Sequence, residues 1–172
     1  MSIFSLAVAL SGQGKDDEAR EMYLNLLEVQ KRVLGDEDLH TLRTAEKLAS
    51  LVSRQGDYEK AERMYQDVIM SLKNILGAEH PETLEASSGI AILYNRQGRI
   101  REALELHEHV WTLREQLLGP MHPQTLESMR ERAESLIQLG RYEQAATLYQ
   151  KTLQRREKIL GFDHPATAEA RQ

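Results

Sequence analysis

Apolar residues in this chain fall on helical faces, and the faces recur. Leu48, Ala49 and Val52 have the i, i+1, i+4 spacing of one helix side and return 42 positions later as Ile90, Ala91 and Tyr94. A second face, Ala61, Tyr65, Val68 and Ile69, returns as Ala103, His107, Val110 and Trp111, and again as Ala145, Tyr149, Thr152 and Leu153. Polar residues fill the positions between. The pattern predicts two amphipathic helices per unit, packed antiparallel, with alanine columns at 7, 49, 91 and 133 on the first helix and 19, 61, 103 and 145 on the second. Small residues there let the helices approach to about 8–10 Å. Arg132 interrupts the column of Leu48 and Ile90, and His107 that of Tyr65 and Tyr149; both are expected at edges with their polar ends in solvent.

Two glycine series keep the same period, Gly14, Gly56, Gly98 and Gly140 at the turn within a unit and Gly35, Gly77, Gly119 and Gly161 at its end. A fixed period in this range marks a stacked repeat architecture. The second series suits a left-handed conformation that ends a helix without a Cβ penalty. Three residues on, His80-Pro81, His122-Pro123 and His164-Pro165 open new helices, with proline at the first position and Glu82 complementing the dipole. In the first connector Asp38 takes the cap instead. The array divides into a partial repeat at 1–35, repeats at 36–77, 78–119 and 120–161, and a stub at 162–172.

The turn Gln55-Gly56-Asp57-Tyr58-Glu59-Lys60-Ala61, with Leu48-Ala49 before it and Tyr65 after, resembles the tetratricopeptide repeat. The connector Leu76-Gly77-Ala78-Glu79-His80-Pro81-Glu82-Thr83-Leu84 and the 42-residue period resemble the kinesin-light-chain type, which is also appended to NACHT-type receptors in fungi. The resemblance implies an all-α, right-handed superhelical solenoid of antiparallel helix pairs, about four repeats long, that binds proteins or peptides in a concave groove. Kinesin light chains carry paired asparagines before the Leu-Ala of the first helix, and these help line the cargo groove. Here those columns hold Glu46-Lys47, Ser88-Gly89 and Arg130-Glu131, so light-chain cargo specificity does not carry over.

Composition narrows the function classes. With 41% hydrophobic and 28% charged residues and no run of 18 apolar positions, the 172-residue chain is expected to be globular and without an apolar helical membrane span. The apolar start, residues 1–10, has no basic flank and fits the repeat register, so it reads as helix and not as a signal peptide. No cysteine is present, which rules out disulfides and thiolate metal sites and suits a cytoplasmic protein. A formal charge of −5 argues against nucleic acid as a partner.

Local motifs yield no chemistry. Ser11-Gly12-Gln13-Gly14-Lys15 lacks the spacing and the preceding strand of a phosphate loop. His107 and His109 lie two apart on a helix and cannot chelate together, and the histidines at 80, 122 and 164 are on separate connectors. No serine or threonine sits in a nucleophile-elbow context. The expectation is a non-enzymatic protein with no catalytic residue, metal or cofactor.

In the resembled family the first helix of each unit lines the groove. The groove candidates are therefore Arg43, Glu46, Lys47, Ser50 and Arg54; Glu85, Ser88, Ile92, Asn95 and Arg96; and Glu127, Arg130, Glu131, Glu134 and Gln138. Their charges predict a groove positive near the middle and negative toward the C-terminal end. An extended or helical peptide ligand would place an acidic portion over Arg54 and Arg96, with Ile92 and the space at Gly89 as an apolar floor. The alternative is a structural sensor or self-association segment of a larger NACHT-type receptor, joining through uncapped, apolar ends.

Overall fold

The computed structural model describes residues 2–160; Gly161, His164-Pro165 and the 162–172 stub lie outside the described residues. Among the described residues there are eight helices and no strand: α1 (Ile3–Gly12), α2 (Asp16–Leu34), α3 (Leu39–Arg54), α4 (Tyr58–Leu76), α5 (Pro81–Arg96), α6 (Ile100–Leu118), α7 (Pro123–Gln138) and α8 (Tyr142–Leu160). The fold is an all-α repeat array. From α3 onward, first helices of 16 residues alternate with second helices of 19.

Packing groups the chain into two compact units, Met1–Leu93 and Tyr94–Gln172. In the first unit α1 packs on α2, α2 on α3, and α3 on α4. Leu42, Val68, Leu72 and Ala86 form a buried cluster there, flanked by Leu39, Ile69 and Leu76. In the second unit α7 packs between α6 and α8, and Leu104, Ala133, Leu136 and Ala145 are buried together. All eight alanines of the two columns are at most 2% exposed.

The connectors are built from two kinds of side-chain bond that the sequence spacing encodes. His80 Nδ1 accepts from the Glu82 amide, and His122 Nδ1 from the Gln124 amide, each at 3.2 Å, so the histidine caps the helix whose first residue is the proline. Asp38 does the same for His40 at 2.8 Å. The threonine two residues after the proline ties back to the previous helix: Thr83 Oγ1 donates to the Gly77 carbonyl at 2.8 Å and Thr125 Oγ1 to that of Gly119 at 2.9 Å.

The second glycine series departs from the expected conformation. Gly77 (φ 94°, ψ 163°) and Gly119 (φ 88°, ψ 164°) combine positive φ with extended ψ. That region is essentially restricted to glycine, whereas the left-handed helical region also admits asparagine. The chain must leave the second helix sharply enough to start the next within three residues, and this backbone makes the turn. A Cβ at Gly119 would meet nothing within 4 Å, so substitution there tests backbone strain alone. Gly119→Ala and Gly119→Asn should each lower stability by about 1–3 kcal/mol in urea unfolding, with no advantage for asparagine.

Candidate protein-interaction surface

In the first unit the structure gathers Arg43, Glu46, Lys47 and Glu85 into one charged cluster on α3 and α5. Arg43 grips Glu82 with two hydrogen bonds, Nε to Oε2 at 3.0 Å and Nη2 to Oε1 at 2.5 Å. These bonds hold the Glu82 carboxyl below the usual carboxylate range. Lys47 Nζ lies 3.0 Å from Glu46, whose carboxyl burial pushes its pKa up, with Lys47 opposing and Glu85 adding to the rise. Arg54 Nη2 donates to Asp16 Oδ1 at 2.8 Å and also bonds the Ser11 hydroxyl. Ser50 and Ile92 are half-buried.

The expected positive middle therefore does not stand alone. Each cation of α3 faces a carboxylate, and two of those carboxylates, Glu82 and Asp16, were outside the candidate set. The Arg43–Glu82 and Arg54–Asp16 pairs are partly exposed, and pairs of that kind contribute roughly 0–1 kcal/mol, so their importance is in setting the local potential more than stability.

The second unit holds the remaining candidates. Arg130 bonds both Glu127 and Glu134 along α7, and its pKa is raised chiefly by the hydrogen bond to Glu127. Asn95 turns inward, donating to Ser135 Oγ at 2.8 Å. Arg96 and Gln138 are exposed.

Three candidates are not on an open surface. Glu46, Ser88 and Glu131 are buried, although Arg130, in the column of Glu46 and Ser88, and Lys47, in that of Glu131, keep part of their side chains in solvent. The space at Gly89 is also taken: a Cβ there would lie 2.6 Å from Tyr65 Cε1 and 2.8 Å from its hydroxyl. The missing side chain makes room for a core tyrosine, so it is no floor for a ligand. His107 is likewise buried, not at an edge. Its Nδ1 lies 3.6 Å from Glu131 Oε2 and its Nε2 3.5 Å from Asn95 Nδ2. Arg132 does reach outward, pairing with Glu108 at 3.1 Å while its guanidinium lies over the Trp111 ring.

Helix α1 adds to this surface beyond the residues predicted on α3, α5 and α7. Phe4 and Val8 on α1 occupy the columns of Glu46 and Ser50; Val8 is exposed, and Phe4 is half-buried edge-on against Tyr23 with ring centroids 6.1 Å apart. The same 42-residue spacing would have found them.

The profile of the tetratricopeptide repeat matches residues 1–74, 82–158 and 124–172. The chain belongs to the tetratricopeptide repeat family. This tetratricopeptide repeat array is similar to a crystal structure from Podosopora anserina designated a kinesin light chain with nearly identical TPR-like repeats. The match has 26% identity and a TM-score of 0.79, covering 98% of this chain and 80% of that one. BtubC (BKLC) from P. vanneervenii shares the fold at 20% identity and TM-score 0.77 over 93% of this chain and 63% of the other. The TPR domain of Arabidopsis FLU shares it at 22% identity and TM-score 0.59 over 68% and 95%. The array has no match among curated proteins.

The fit at Gly89 is measurable. Gly89→Ala gains about 1 kcal/mol of helix propensity but meets the Tyr65 ring, so the variant should be less stable than the parent in urea unfolding. With Tyr65→Leu in the background the same change should become stabilising.

Proposed function

We propose that the array is a non-enzymatic, cytoplasmic scaffold that binds a peptide segment of a partner protein on the exposed faces of its first helices. Tetratricopeptide repeats mediate protein–protein interaction, and no helix among the described residues is long and apolar enough to cross a membrane. Among those residues no group of three or more acidic or histidine side chains is placed to hold a metal. The observation that carries the reading is Arg54. Its Nη2 makes both contacts, to Ser11 and Asp16, so Nη1 and Nε remain for a ligand carboxylate approaching past Ser50 and Val8. An acidic ligand thus adds to the Asp16 pair and need not break it.

Peptides selected from a displayed random library against the full chain should be rich in Asp and Glu, and Arg54→Glu should weaken them by about tenfold or more at low salt, less at high salt. Unchanged affinity overturns the assignment.

The apolar side of α1 favours a second reading, self-association, here as a segment of a larger NACHT-type receptor. Ile3 and Leu6, three apart and so on one face of the helix, are 57% and 37% exposed. Light scattering over a concentration range should then show a mass that rises with concentration, and Leu6→Glu should abolish the rise.

A further inference from the structure

Internal repeats supply their own reference for what the fold needs at each column, so a cluster of departures marks what one repeat does alone. In the first unit the α3–α4 turn is latched to the start of α2, by Arg54 on Asp16 and by Gln55 Nε2 donating to Asp17 Oδ1 at 3.1 Å. The same columns in the second unit hold Gln138 with Ile100 and Leu139 with Arg101, and neither pair can make these bonds. There, between α6 and the α7–α8 turn, lies an open cavity of about 500 Å³. A second, of about 380 Å³ between α7 and α8, shares Arg141 with it.

Four lining residues break their columns. Leu139 replaces the glutamine found at 13, 55 and 97, and Leu104 stands in a column that otherwise holds Arg20, Glu62 and Ala146. Arg101 replaces the acid at 17, 59 and 143, and Arg132 the aliphatic residue at 6, 48 and 90. Two exchanges make an apolar floor and two bring guanidinium groups to it. Among the described residues Arg101 and Arg141 have no ion-pair partner, while Arg132 holds Glu108 and keeps a buried Nε without a hydrogen-bond partner.

We propose that this cleft is a second recognition site, for an acidic peptide segment of a partner protein that sets an aliphatic side chain on Leu104 and Leu139 and its carboxylates on Arg101 and Arg141. The shape agrees: two open cavities that share Arg141 suit an extended chain, whereas a small molecule is usually enclosed on most sides. Planar guanidinium forks favour carboxylates, and the three arginines outnumber Glu105 and Glu108. The site does not include Arg54, which carries the first-helix reading.

The test titrates the full chain with the capped pentapeptide Asp-Leu-Glu-Leu-Asp and with Lys-Leu-Lys-Leu-Lys, following leucine methyl signals by NMR. The acidic peptide should shift Leu104, Leu136 and Leu148 and bind Arg101→Glu/Leu139→Gln about tenfold or more weakly. That variant restores residues the other repeats carry, so its thermal stability should match the parent's; Arg54→Glu should leave this binding intact. An equal response to both peptides, no shift in those methyls, or undiminished binding by the double variant overturns the proposal.

Discussion

Ala7, Ala49, Ala91 and Ala133 on the first helices, and Ala19, Ala61, Ala103 and Ala145 on the second, are almost wholly buried in every repeat. A methyl group at a helix crossing sets how near two axes can come, about 8–10 Å, and every neighbouring contact is built around that spacing. A larger residue would have to push a whole helix outward, because a rigid rod has no local way to yield. Neighbouring columns only fill space around the crossing, and there the repeats differ from one another.

Those differences come in matched pairs. Tyr65 packs into the gap at Gly89 in the first unit; in the second, the same two columns hold His107 and Glu131, 3.6 Å apart. Leu72 clusters with Ala86, and the corresponding pair is Arg114 with Ser128, joined by a hydrogen bond at 2.8 Å. A buried guanidinium or imidazole left without partners would cost several kcal/mol, so each polar replacement is accompanied by another. Arg114, Ser128, His107, Glu131, Asn95 and Ser135 give the second unit a polar interior where the first is mainly apolar.

Surface legibility followed the same division. That Arg43, Lys47 and Arg54 are on the first helices was readable from register. That Glu82 and Asp16 answer them was not, because each carboxylate comes from another helix. The burial of Glu46, Ser88 and Glu131 was hidden for a similar reason: a helical wheel separates apolar from polar faces but does not reveal which polar residues tertiary packing buries. The cleft beside Leu139 shows the reverse, since its column breaks were on view in the chain while the cavity they leave needed three helices to be in place.

Helix boundaries, caps, turns and the alanine crossings are local or strictly periodic, and a 42-residue spacing of glycine, His-Pro and alanine is sufficient to specify them. Backbone sterics and hydrogen bonding act over a few residues, so their signals survive in one dimension. Which polar side chains meet and which are buried were decided by packing between segments far apart in the chain. Contact geometry depends on the distance and angle between helices, and those quantities exist only once the helices are stacked.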